Sequence, residues 1–278
     1  MRKQTIWQWL AVFWLLTTIA VLSACHRQQK TVPASPSSRS SRIVQSKKAA
    51  AKSSAQPSTK PQPAATILTR LRAKPGSALV YAPFGDSLSV GLFADSKESR
   101  FTTLFAQQLA AATGKKVHEQ GLAIVGKTAA NLGVPQVQTI VAQKPDIVTI
   151  EFGTNDAVGG QAPATLAAFK AQLTQIVTTL RQQTSAQLIL MTTWSPTGGT
   201  YASNDAAFDA QIKAVGQANN VPVADLQPIW QDHPEVVGPV GKALPDFAAW
   251  GPRDAFHPNQ TGHDRIAQAL MQLIKQEE

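Results

Sequence analysis

Residues 78–89 read Ala-Leu-Val-Tyr-Ala-Pro-Phe-Gly-Asp-Ser-Leu-Ser. The first seven make a short apolar run closed by a glycine, the length and boundary of a buried strand. The polar pair Asp86-Ser87 then falls where a strand hands over to a helix. A serine at such a turn, with glycine nearby, can expose its hydroxyl for nucleophilic work.

The same alternation continues along the chain. Phe101, Leu104, Phe105 and Leu109 repeat at helical spacing and stop at Gly114. Residues 117–120 make a weaker strand, and 134–143 a short helix. Residues 146–152 read Asp-Ile-Val-Thr-Ile-Glu-Phe, a strand after Pro145. Leu166, Phe169, Leu173, Ile176 and Leu180 mark a long amphipathic helix. Residues 187–194 form a continuous apolar strand, and Phe208, Ile212 and Val215 mark another helix. Residues 221–226 are a last strand, and Ile266, Leu270, Leu273 and Ile274 make the closing helix. Five strands alternating with helices predict an α/β domain: a parallel sheet with helices on both faces.

Ligands of such sheets bind at the carboxyl ends of the strands. Chemically useful residues cluster there. The first strand leads into Gly85-Asp86-Ser87-Leu88-Ser89 and the second into the loop from Gly121 to Gly126. The third leads into Gly153-Thr154-Asn155-Asp156, and Asp254-Ala255-Phe256-His257-Pro258 precedes the last helix. A nucleophilic hydroxyl needs a base, an orienter for that base and donors for a developing oxyanion. Ser87 can be the nucleophile, His257 its base and Asp254 the orienter. Gly126 offers a backbone N–H with no side chain in the way, Asn155 a side-chain amide, and Ser87 its own N–H.

These four blocks resemble those of the SGNH (GDSL) hydrolases, in family order, over about residues 78–276. The resemblance implies a three-layer α/β/α fold with a five-stranded, flavodoxin-like parallel sheet. It implies Ser87, Asp254 and His257 as the catalytic triad, and Ser87 N–H, Gly126 and Asn155 as the oxyanion hole. Gly126 is preferred to Gly121 because Thr128 follows it, as in the family. The implied reaction is hydrolysis of a carboxylic ester through an acyl-serine, with no metal and no organic cofactor. The resemblance leaves the ester open among short-chain acyl, carbohydrate and lysolipid substrates. A lipoprotein of another class, catalytically idle and using the same cleft to bind acylated polymers or lipids, is the alternative.

Other residues in these loops read as structural. Asp86 caps the helix after it, and Asp156 organises its loop. His263 belongs to the start of the last helix. His118 and His233 have no partner in sequence. Trp194, Trp230 and Trp250 read as core, although Trp250 lies four residues before Asp254. The segments 195–205 and 234–251 read as mobile loops that shape the pocket.

Charge is divided sharply along the chain. The net charge is +9, from 26 Lys+Arg and 17 Asp+Glu among 278 residues. Thirteen of the basic residues precede Asp86, the first acidic residue, so 13 remain against 17 acidic ones, a net of −4. The basic excess lies outside the predicted domain and lacks interleaved aromatics, which argues against a nucleic-acid enzyme. At 43% hydrophobic and 15% charged residues, the chain can bury a core. With Cys25 the only cysteine, no intramolecular disulfide and no cysteine zinc site can form.

Arg2 and Lys3, an apolar stretch over residues 10–22 and small residues after it describe a secretory signal. Leu22-Ser23-Ala24-Cys25 resembles the bacterial lipobox, whose cysteine becomes the lipidated first residue. Residues 1–24 are therefore expected to be a signal peptide. Residues 25–65 read as a disordered basic linker, spanning about 35 Å end to end on average. Residues 66–278 read as the catalytic domain. The expected protein is a monomer held on the outer face of a bacterial cell membrane through Cys25. Its basic linker would meet anionic lipid or wall polymers.

Overall fold

The computed structural model describes residues 65–196 and 202–276. The expected signal segment, Cys25, nearly all of the linker and Gly198-Gly199 lie outside the described residues.

The quoted stretch forms β1 (Ala78–Gly85), the strand from which the sheet is built. On one side it pairs with β2 (Lys116–Glu119) and β3 (Leu122–Ala123). On the other it pairs with β4 (Ile147–Glu151), followed by β5 (Gln187–Met191) and β6 (Val223–Ala224). The order is β2-β1-β4-β5-β6 with β3 on β1, and every pairing is parallel. The sheet thus has six strands, where five were expected. The extra one arises because the edge strand breaks opposite Pro83. Pro83 has no N–H to donate to a ladder. Gly121 passes so near that an added Cβ would stand 2.1 Å from the Pro83 carbonyl oxygen. Pairing stops at Tyr81 and resumes at Phe84.

Both faces of the sheet are buried, as its unbroken apolar runs require. Leu79, Tyr81, Ile147, Ile189 and Met191 pack on one face against α1 (Ile67–Ala73), α3 (Phe101–Thr113) and the closing helix α7 (Gln260–Leu273). Their strand neighbours Ala82, Phe84, Val148, Ile150, Leu188 and Leu190 point the other way. These meet α5 (Pro163–Gln183) through Phe169, Leu173 and Ile176, and α6 (Ala202–Asn219) through Phe208 and Ile212. Alternation along each strand therefore feeds two separate cores, giving three layers. The α4 helix (Val134–Ala142) completes the second layer and follows a π-turn over Ala129–Gly133.

Two elements depart from the sequence reading. The α1 helix is too short to announce itself by periodicity. It exists because Ile67, Leu68 and Leu71 bury themselves and Thr66 caps its first turn. The last strand shrinks to two residues because it lies at the edge of the sheet and pairs only with β5.

Candidate active site

Ser87 opens the short helix α2 (Ser87–Val90) directly after β1. Asp86 caps this helix, accepting the Leu88 N–H at 3.0 Å. The turn brings Ser87 Oγ to 3.0 Å from His257 Nε2, across 170 residues of sequence. His257 Nδ1 lies 2.7 Å from Asp254 Oδ2. An ionised carboxylate only accepts, so the imidazole proton sits on Nδ1 and Nε2 is left to accept from the serine hydroxyl.

Asp254 is held by its own loop. Its Oδ1 accepts the backbone N–H groups of Phe256, at 2.9 Å, and His257, at 2.8 Å. Burial alone would push this carboxyl up. The hydrogen bonds from His257, with its charge and these two N–H groups, outweigh burial and hold Asp254 below the usual carboxylate range. The imidazole is fixed edge-on by Phe93, at 5.5 Å and 80°, and by Phe256, at 5.3 Å and 89°.

The remaining loops close on the same turn. Asn155 Nδ2 donates to Asp86 Oδ2 at 2.6 Å and to the Lys127 carbonyl at 3.2 Å. Both partners are acceptors, which fixes the amide with its nitrogen toward them. Gly126, next to Lys127, has φ +75°, and an added Cβ there would meet no atom within 4 Å. Gly121 is instead packed against β1, as described above. The structure therefore brings Ser87, His257 and Asp254 into one hydrogen-bonded chain and sets Asn155 against the turn that carries Ser87.

The structural readings are also placed. Asp156 accepts the Ala129 N–H at 3.1 Å and so ties the loop after β4 to the π-turn; burial pushes its carboxyl up to about 6. His263 is buried beneath α3, its Nδ1 accepting the Phe101 N–H at 3.4 Å and its Nε2 facing the Leu92 carbonyl at 3.3 Å. Burial drives it down to about 3, so it stays neutral. His118 is exposed on β2, and His233 faces Glu235 at 2.9 Å; neither joins the site.

Trp194 is buried, and its indole donates to the Phe256 carbonyl at 2.7 Å, bracing the loop that carries His257. Trp230 is half-buried and directs its Nε1 to the Thr193 carbonyl. Trp250 departs from the core reading: it is 53% exposed, because it ends a surface 3-10 turn over Pro245–Trp250.

Two further expectations need correction. Residues 234–251 are pinned rather than free. Asn259 Nδ2 donates to the carbonyls of Glu235, Val237 and Gly238, and Asp246 accepts the Lys97 N–H at 2.8 Å. Leu244 and Phe247 pack with Leu92, Phe93 and Val125 into a small apolar cluster beside His257. The segment 195–205 is shorter than expected, since α6 already begins at Ala202.

Sequence reasoning missed two side chains. Arg253 is 3% exposed. It donates to the Phe93 carbonyl, the Gly238 carbonyl and Asp95, so it clamps the Asp254 loop to the segment that packs on His257. Nothing in its spacing announces this. Glu151, at the end of β4, is 1% exposed, and its Oε2 accepts the N–H groups of Asp86 and Ser89. A carboxylate as the one charged residue of a buried strand was the available signal.

Comparison with known proteins bears on the family and the fold. The model of the GDSL-like lipase/acylhydrolase family matches residues 84–265, well over half of the chain. No curated protein matches it. Among solved structures, the chain is similar to TesA, at 22% identity and TM-score 0.54, covering 70% of this chain and 98% of that one. It is also similar to Axe2, an acetylxylan esterase from Geobacillus stearothermophilus, at 21% identity and TM-score 0.56, covering 73% and 96%. The acetyl xylan esterase AlAXEase is a third, at 18% identity and TM-score 0.53, covering 70% and 98%. At these identities the likeness shows the fold, and the family match carries more. A serine hydroxyl with a proton acceptor at 3.0 Å, on this fold and within the matched segment, places the chain in the GDSL-like lipase/acylhydrolase family of serine ester hydrolases.

Proposed function

We propose that the protein hydrolyses short-chain acyl or carbohydrate esters at Ser87 while held at a membrane surface by its N-terminal segment. The observation that carries the chemistry is the chain from Ser87 Oγ to His257 Nε2, at 3.0 Å, and from His257 Nδ1 to Asp254, at 2.7 Å. Ser87 Oγ attacks the ester carbonyl carbon as His257 Nε2 takes the hydroxyl proton. Asp254 stabilises the imidazolium that results. The oxyanion lies between the N–H groups of Ser87 and Gly126 and the Asn155 amide. His257 returns the proton to the departing alcohol oxygen, leaving an acyl-serine. Water, activated by the same imidazole, then releases the acid.

A fluorophosphonate probe tests this reading directly. It should label the wild-type protein at Ser87 and leave Ser87→Ala unlabelled; a protein that binds esters without an activated serine would stay unlabelled in both forms.

Short acyl groups are favoured because the loops around His257 are filled. Phe93, Leu244 and Phe247 occupy the apolar space beside the imidazole, and two of the similar structures carry acetylxylan esterase names. Across a series of p-nitrophenyl esters, kcat/KM should be highest for acetate to butyrate and fall toward palmitate. A maximum at palmitate would replace this reading with a lysolipid one.

Tethering rests on the Leu22-Ser23-Ala24-Cys25 tetrapeptide after its apolar segment and on the absence of acidic residues before Asp86. No helix of the described residues is long and apolar enough to cross a membrane. In the full chain, Cys25→Ser should release the protein from membranes or leave the signal uncleaved. A wild-type mature protein without lipid would refute the anchor.

A further inference from the structure

The carboxyl of Glu151 is at the site, yet the triad does not use it. Its Oε2 accepts the N–H of Asp86 at 3.1 Å, the N–H of Ser89 at 3.3 Å and the Ser89 hydroxyl at 3.0 Å. It therefore lies directly beneath the turn that carries Ser87. The bond from the Asp86 N–H brings the Glu151 carboxyl up against the residue whose own carboxyl caps α2. Asp86 in turn accepts from Leu88 N–H through Oδ1 and from Asn155 Nδ2 through Oδ2.

Two carboxyls can hydrogen-bond to each other only when one of them carries a proton. Both are 1% exposed. No Lys or Arg of the described residues forms an ion pair with either. Two ionised carboxylates would then stand side by side, out of water and with no Lys or Arg between them, which is costly. The donors place the proton: both oxygens of Asp86 accept, from Leu88 and from Asn155, whereas all three donors to Glu151 fall on Oε2 and leave Oε1 to carry it. Burial and the adjacent Asp86 charge push Glu151 well above the usual carboxylate range. Asp86 is raised too, first by burial, but the Asn155 amide, the Leu88 N–H and the nearby His257 all favour its anion.

We propose that Glu151 is a positioning residue: it keeps its proton in the working enzyme and donates it to Asp86, so that a single buried anion anchors the Asn155 amide and the Ser87 turn. The inference rests on the roles proposed for Ser87 and Asn155. Without the Glu151 donor, the Asp86 carboxylate is free to turn and carry Asn155 out of register with the oxyanion. With Glu151 ionised, a second negative charge would sit beneath the place where the ester oxygen becomes negative, and would oppose its formation.

The test compares Glu151→Ala and Glu151→Gln in the full chain. Glu151→Ala should lower kcat by roughly 10- to 100-fold with KM little changed, the usual loss when a supporting partner is removed. Glu151→Gln should recover kcat to within about threefold of wild type, because its amide donates to Asp86 and carries no charge. Infrared spectra of the substrate-free protein at neutral pH should show a carboxylic-acid C=O band that Glu151→Gln removes. A glutamine variant as slow as the alanine variant would overturn the proposal, and so would a wild-type spectrum lacking that band. If Glu151→Ala does not fold, the glutamine variant and the spectrum still decide. Activity surviving in Ser87→Ala would sink the triad reading instead, and the infrared band would remain as a separate measure of the Glu151 proton.

Discussion

Replacing Ser87 with alanine is expected to lower the turnover of p-nitrophenyl acetate by about 10⁴- to 10⁶-fold, as the loss of a triad nucleophile does elsewhere. The expectation follows from the geometry of one hydroxyl. Ser87 Oγ has the imidazole nitrogen at 3.0 Å as an acceptor for its proton, and that imidazole is oriented from behind by Asp254. The family assignment makes the reaction an ester hydrolysis, and a hydroxyl so activated is the group that can attack the carbonyl. Folding should survive, because Ser87 opens a helix whose cap is Asp86 rather than Ser87 itself. The melting temperature should therefore stay close to wild type while activity is lost. Turnover within about tenfold of wild type would move the nucleophile to another residue, since the oxyanion donors and binding alone leave far less.

Asn155→Ala should cost about 10²- to 10³-fold in kcat, with KM nearly unchanged, as removal of one oxyanion donor does. Both amide hydrogens are engaged in the structure, one on Asp86 Oδ2 at 2.6 Å and one on the Lys127 carbonyl at 3.2 Å. The longer bond is the one to be exchanged for the oxyanion, while the shorter holds the amide in place. Because the replacement partner appears as charge develops on the ester oxygen, the loss should fall on kcat rather than on KM. A mainly KM-based defect, or a loss smaller than about threefold, would show that Asn155 serves the loop and not the oxyanion. Asn155→Ala also removes a donor from the buried Asp86 carboxylate, a cost of roughly 1–3 kcal/mol to stability. The melting temperature should report that cost separately.

Much of the site was legible because each of its parts follows a strand. The apolar runs at 78–84, 146–152 and 187–194 are continuous, as strands buried on both faces must be, and their order along the chain fixes where the loops gather. Asp86 as a cap and Asp156 as a loop organiser were readable from residue type alone, since short carboxylates accept neighbouring backbone N–H groups. Arg253 was not readable. Its partners, Phe93, Asp95 and Gly238, lie from 15 to 160 residues away in the chain. The pinned segment 234–251 looked like an open loop for a similar reason: its carbonyls are held by Asn259, a residue that the sequence presents only as the start of the last helix. Trp250 failed in the opposite sense, because a large aromatic side chain is not obliged to be inside.

The sequence by itself determined the α/β alternation, the four loops with Ser87, Gly126, Asn155 and the Asp254–His257 pair, and the division between a purely basic first 85 residues and a remainder of net charge −4. These are properties of local spacing and composition, and they survive in one dimension. Only the tertiary structure decided that the edge strand splits opposite Pro83, that Arg253 and Trp194 brace the Asp254–His257 loop, and that the Glu151 carboxyl meets the Asp86 N–H beneath the serine turn. Each of those depends on groups far apart in sequence, and the last on the parallel pairing of β1 with β4. In register, Gly85 stands opposite Glu151, so the one charged residue of that strand becomes the floor beneath Ser87.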